Sequence, residues 1–304
     1  MGGETGTMRG PETEGVSTEA GDLDLLGPGE LLARLAGAYR AVDQAVQGAL
    51  PALEQALAAA APRWAAGGRL LLVGAGTSGR MAQLQAAECP PTFGTPADRV
   101  VALMAGGASA MVRAVEGAED DAAAGEEAMA ALEPGPTDVV FAISASGGAP
   151  FVRAALARGR SAGALGIGMA NAAGSALLRE ADLAVTLRTG AEPVAGSTRM
   201  LAGSAQKVAL DLFTTALMVG AGHVYGQRMV DFLPTNAKVR RRAVVTVRDL
   251  AVVSEERAAD ALEASHWRVK TAVVVAARGL GPGEAGDLLA RCAGNLRRAL
   301  AEAR

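Results

Sequence analysis

Two short runs of small residues have the composition of ligand turns. Gly74-Ala75-Gly76-Thr77-Ser78-Gly79 and Ser144-Ala145-Ser146-Gly147-Gly148 both combine glycines with hydroxyls. Glycine lets the backbone approach a ligand closely. A helix that begins in such a run offers N–H donors without intrahelical partners and the positive end of its dipole. That combination suits phosphate. Gly76, Thr77, Ser78, Ser144, Ser146 and Gly147 are therefore candidate binding residues. Either run alone also fits an ordinary tight strand–helix turn, and two on one sheet face are better evidence than one. The first run also matches GxGxxG, but a dinucleotide site needs an acidic residue at the end of the next strand. There the chain has Ala105-Gly106-Gly107, which argues against a nicotinamide enzyme.

The second chemical feature is acidic. Glu88 precedes Cys89-Pro90-Pro91 and follows an Ala-rich helical stretch. That stretch starts at the first glycine turn, which puts Glu88 about 15 Å further along the axis. Glu116 and Glu119 lie in AVEGAEDD, before a polar helix. Paired carboxylates beside a sugar can act as acid and base. Acids before a helix also serve as caps or solvated charges, and spacing alone favours that. Cys89 has no nearby histidine to activate it, so it reads as a buried inert thiol. His223 and His266 are isolated, without metal-ligand spacing, and read as structural or exposed.

The rest of the composition narrows the partners. The 304 residues carry Lys+Arg 29 against Asp+Glu 32, for a net charge of −3. This gives no basic field for nucleic acid or an anionic membrane. Aromatic residues make up 3 %, too few for base-stacking platforms. Two cysteines and no CxxC suggest no disulfide framework, and a reducing cytoplasm is the plain reading. The first residues lack an apolar signal region, and no apolar run reaches the length of a membrane span.

Those turns and carboxylates need a scaffold. Residues 1–21 are polar and acidic and read as a disordered tail. The pattern over Gly29–Ala61 is helical, with Pro51 expected to divide it. Short apolar runs at Arg69–Val73, Arg99–Met104, Asp138–Ile143, Ala164–Met169 and Leu183–Leu187 read as strands. CPPTFGTP reads as a loop, because two adjacent prolines disfavour a helix. Thr198–Val224 reads as one long helix, and Asn236 onward as a small helical subdomain. The domain boundaries expected are thus 22–235 and 236–304. Strands alternating with helices imply an α/β fold with a parallel sheet sandwiched by helices. Ligands of such sheets sit at the carboxyl ends of the strands, where both turns fall.

Longer segments carry a family resemblance. GAGTSGRMAQLQAAECPPTFGTP, AVEGAEDD, AGSTRMLAGSAQK, VYGQRMVDFLPTNAKV and DLDLL span most of the chain. They closely resemble the N-acetylmuramic acid 6-phosphate etherases, which are sugar-isomerase (SIS) type domains with a C-terminal helical extension. The glucokinase regulatory protein is related but carries two such domains, where this length allows one. The resemblance implies a lyase that removes D-lactate from a phosphorylated amino sugar by metal-free elimination and hydration, without a cofactor. It implies catalytic roles for Glu88 and Glu119, and sugar and phosphate contacts from Thr77, Ser78, Ser144 and Ser146. By motif match it adds Ser197, Thr198, Asn236 and Lys238 to the site lining. It also implies a homodimer with the site near the interface.

Some positions depart from the family pattern. Gly148 and Ala149 replace an Arg and a Thr, and Leu201 replaces a Lys. Val16-Ser17 stand where the family has Arg-Asn. A charge-assisted contact is worth about 1.5–3 kcal/mol, so these losses bear on substrate choice or rate. Two rival readings follow: a non-catalytic sugar-phosphate sensor, and an aldose–ketose isomerase on the same fold.

Overall fold

The computed structural model describes residues 12–18 and 20–302. Of the tail expected over 1–21, residues 1–11 and 19 lie outside the described residues. Glu12–Glu14 form a 3-10 turn with Thr13 buried, so order reaches further toward the N-terminus than composition indicates. Two compact units make up the chain, Met1–Gln85 with Val100–Phe213 and Ala86–Arg99 with Thr214–Arg304. Of the three divisions, 85/86 and 213/214 run through long helices and 99/100 falls at the start of a strand, whereas the boundary expected from sequence is 235/236. Among the described residues no helix is long and apolar enough to cross a membrane.

In the first unit, five parallel strands make one sheet. They are β1 (Leu70–Gly74), β2 (Val100–Met104), β3 (Val139–Ser144), β4 (Leu165–Ala170) and β5 (Leu183–Thr186), in the order β2-β1-β3-β4-β5. β1, β3 and β4 are buried at every position, as expected of inner strands covered on both faces. The edge strands β2 and β5 are only partly buried. β1 and β3 pair in register from Leu70↔Val139 to Gly74↔Ile143. At their amino ends, Asp138 Oδ1 accepts from the Arg69 backbone N–H at 2.8 Å, and Oδ2 accepts from Arg69 Nη2 at 2.7 Å.

Helices α1 (Pro28–Ala38) and α2 (Arg40–Ala65) precede the sheet. The expected break at Pro51 is corrected: α2 runs through it, and the break falls at Tyr39. The buried stripe Val42, Ala45, Val46, Ala49, Leu53, Ala56, Ala60 and Trp64 continues past the proline at helical spacing. Pro51 sits on the exposed face, so the carbonyl it leaves without a partner can meet water. α3 (Gly76–Phe93) likewise continues through Pro90 and Pro91, where a loop was expected. Both prolines lie in its last turn, Cys89 and Phe93 are buried there, and the Gly94 N–H closes the turn on Pro90 O at 2.9 Å.

α4 (Ala122–Ala130), α5 (Pro150–Ser161) and α6 (Ala176–Glu180) connect the strands, and α7 (Leu201–Gly220) follows the sheet. The helix expected to reach Val224 stops at Gly220. Val224–Tyr225 instead pair with Arg228–Met229 as a hairpin, β6 and β7. The second unit then forms its own core from α8 (Ala237–Ala251), α9 (Glu255–Ala264), α10 (Val269–Arg278), α11 (Pro282–Arg291) and α12 (Leu296–Ala301).

Candidate functional site

The strand order reverses between β1 and β3. β1 leads to β2 on one side of the sheet, while β3 lies on the other. Open α/β sheets bind ligands in the crevice at such a switch point. Both glycine turns leave the carboxyl ends of these two adjacent strands. The first is folded tightly. A Cβ at Gly74 would sit 2.6 Å from Gly79 N, and one at Gly79 would sit 2.7 Å from Met104 Cγ. Only glycine lets α3 start directly against the strand end, which leaves its first N–H groups at the crevice. Thr77 packs on α7, where a Cβ at Gly203 would come within 2.8 Å of Thr77 Cγ2.

The second turn is shaped by its own serines. Ser144 Oγ accepts from Gly147 N at 3.0 Å, and Ser146 Oγ accepts from Gly148 N at 3.2 Å. Gly147 has φ +66°, and a Cβ there would lie 2.1 Å from Ser175 Oγ. The serines therefore hold the turn themselves. Ser197 and Thr198 lie half-buried in the loop before α7, where Thr198 O accepts from Gly203 N at 2.9 Å.

The structure brings two candidate carboxylates, Glu116 and Glu119, to the first turn. Glu119, exposed in the short 3-10 turn Ala118–Asp120, lines a hollow of about 150 Å³ with Ala75, Gly76, Arg80 and Glu116. Arg80 Nη2 donates to Ala110 O at 2.8 Å and ties α3 to this loop. The capping role goes to a neighbour: Asp121 Oδ1 accepts from Ala124 N at 2.9 Å.

The other motif residues belong to the second unit. Glu88 is exposed on α3, further along the helix that begins at the first turn. Burial first, and the charge of Glu88 second, push the Cys89 thiol up to about 11, so it stays a protonated, unreactive thiol. Asn236 caps α8 by accepting from Val239 N at 3.0 Å, and Lys238 is exposed in that helix's first turn. His223 Nδ1 pairs with Asp231 Oδ2 at 2.8 Å, and Lys270 Nζ reaches the same oxygen at 2.5 Å.

Sequence reasoning missed several residues. Glu192, fully buried, caps α7: its carboxylate oxygens accept from Leu201 N at 2.8 Å and Ala202 N at 2.9 Å. Burial pushes its carboxyl above the usual range, against the two capping bonds. Gln206 and Asn171, both buried, run inward from Ser78. The available signal was Gln206 within AGSTRMLAGSAQK, at the start of the mostly apolar run of α7. Among the family departures, Gly148 and Ala149 lie at the second turn. Val16, Ser17 and Leu201 instead line a separate hollow of about 750 Å³ within the first unit.

Comparison with known proteins gives the family. Residues 52–160 match the family model of the glucokinase regulatory protein N-terminal SIS domain. The chain is 47 % identical over 290 residues to an N-acetylmuramic acid 6-phosphate etherase of Deinococcus radiodurans, covering 95 % of each. It is 43 % identical to that of Rubrobacter xylanophilus, covering 96 % of each. It is 41 % identical to that of Cutibacterium acnes, covering 95 % of each. Identity this high over almost the whole of both chains leads to one conclusion: the chain belongs to the N-acetylmuramic acid 6-phosphate etherase family.

Proposed function

We propose that this chain is a carbon–oxygen lyase that converts N-acetylmuramic acid 6-phosphate and water into N-acetylglucosamine 6-phosphate and D-lactate. The observation that carries the reading is the pair of small-residue turns on adjacent strand ends at the switch point of the sheet. With the sugar ring open, the aldehyde at C1 acidifies the C2 proton, and a carboxylate removes it. The C3–O bond breaks, the lactate oxygen takes a proton, and a C2=C3 double bond forms. Water then adds at C3 while a proton returns to C2. Glu119, beside the first turn, takes the C2 proton. Glu88 protonates the departing lactate oxygen and activates water, an assignment supported by its place in AECPPTFG. Thr77, Ser78, Ser144, Ser146 and the backbone at Gly76 and Gly147 hold sugar and phosphate, with Ser197, Thr198, Asn236 and Lys238 completing the lining.

In this reading the protein works on amino sugars recovered from peptidoglycan, in the cytoplasm and as a homodimer. The sensor and isomerase readings are not favoured, because etherases match 95 % or more of the chain. D-lactate release by purified protein is the test, with Glu88→Ala and Glu119→Ala as controls. Full turnover by both variants would overturn the site assignment, and no release by wild type would overturn the reaction.

A further inference from the structure

A buried chain of polar side chains starts at the first turn. Ser78, 5 % exposed, donates its hydroxyl proton to Gln206 Oε1 at 2.8 Å. Gln206 Nε2 donates to Asn171 Oδ1 at 2.9 Å. Asn171 Nδ2 donates to Leu187 O at 3.0 Å and to Thr189 Oγ1 at 3.3 Å. The direction of this chain is not a free choice. Leu187 O is a backbone carbonyl and can only accept. It therefore requires the amide nitrogen of Asn171 and turns the Asn171 oxygen toward Gln206. That oxygen requires the Gln206 nitrogen, which turns Oε1 toward Ser78. Facing a pure acceptor, Ser78 must donate inward.

The serines of the second turn have the opposite polarity. Ser144 and Ser146 Oγ accept from backbone N–H groups, so their hydroxyl protons remain to be given to a ligand. A phosphate dianion only accepts, and a sugar hydroxyl or acetamido N–H donates.

We propose that Gln206 is a positioning residue that sets Ser78 as an acceptor, so that Ser78 reads a donor group of the sugar while the phosphate falls to the turn after β3. The role as written for the sugar rests on the function proposed above. It assigns specificity within the first turn to a residue outside it.

The test is calorimetric titration of the full-length protein with N-acetylglucosamine 6-phosphate and, separately, with inorganic phosphate. Ser78→Ala and Gln206→Leu are each expected to weaken the sugar phosphate about tenfold, the loss of one neutral hydrogen bond. Both should leave inorganic phosphate within about twofold. The double variant should be no weaker than the weaker single one, since both remove one contact. Ser144→Ala should weaken both ligands. Where wild type turns over substrate, Ser78→Ala should raise KM with kcat unchanged. Equal weakening of phosphate and sugar phosphate in Ser78→Ala overturns the proposal, because Ser78 then donates to phosphate. Additive losses in the double variant, or no binding of either ligand by wild type, overturn it as well. Should Gln206→Leu not fold, Ser78→Ala alone decides. Should wild type bind both ligands yet release no lactate, the reaction assignment fails and the binding data still judge Ser78.

Discussion

The two ends of the β1–β3 strand pair solve opposite problems with similar atoms. At the amino end, Asp138 accepts from Arg69 N, Nε and Nη2 and from Gly135 N. Burial alone would raise its carboxyl, but the bonds and charge of Arg69 and the Gly135 N–H outweigh burial and hold it below the usual range. At the carboxyl end stand glycines, a left-handed Gly147, hydroxyls and the exposed Glu119. Beyond β5, Glu192 caps α7 with no cation bonded to it among the described residues, and burial raises its carboxyl against the capping bonds and the charge of Arg199. The amino end is satisfied for stability. At the carboxyl end the packing tolerates only small residues, and the proposed function uses its donors and acidic groups for the sugar phosphate.

Substitutions at the two ends should therefore separate activity from stability. The largest effect is expected from Glu88→Ala and Glu119→Ala, which should each lower D-lactate release by about 10²–10⁴-fold with little change in melting temperature. Asp138→Ala should do the reverse. It leaves Arg69 without its carboxylate and should cost about 3 kcal/mol in urea unfolding, with kcat of the folded protein retained. Gly147→Ala comes next. A left-handed φ and a Cβ 2.1 Å from Ser175 Oγ should cost about 2 kcal/mol and weaken sugar-phosphate binding as well. It is the one change expected to act on both quantities, so retained affinity would break the distinction between the ends.

Glu192→Ala should have the smallest effect, about 1 kcal/mol, as the loss of a helix cap. Its pH dependence is diagnostic. Asp138 has a lowered carboxyl, so its stabilisation is complete above the ordinary carboxylate range near pH 4. That stabilisation is lost as pH falls through the lowered value. Glu192 has a raised carboxyl, so its contribution is greatest below about pH 4. It declines as pH rises through the raised value. Melting curves across pH should show the wild-type advantage over Asp138→Ala shrinking toward acid. The advantage over Glu192→Ala should shrink toward neutrality. Parallel curves would show that the two carboxylates do not differ as argued.

Much of this was legible in the chain before any coordinates. Uninterrupted apolar runs such as LLLV and VVFAI declare inner parallel strands, because nothing polar interrupts either face. Glycine and serine clusters right after them read as ligand turns, because glycine allows close backbone approach and serine adds a hydroxyl for hydrogen bonding. At the prolines, local propensity and tertiary packing disagree. Pro51, Pro90 and Pro91 each remove one hydrogen bond, and the buried stripes beside them outweigh that local loss.

What only the tertiary structure decided is polarity and partnership. Nothing in a serine's letter says whether it donates or accepts. Ser78 is fixed by Leu187 O, through Asn171 and Gln206, more than a hundred residues away in sequence. Glu192 reads as one acid among many until α7 folds its first N–H groups onto it. Residue type and local spacing are properties of the chain, and they determined the fold class, the turns and the acidic motifs. The direction of a hydrogen bond and the cost of a buried charge depend on neighbours that only folding supplies.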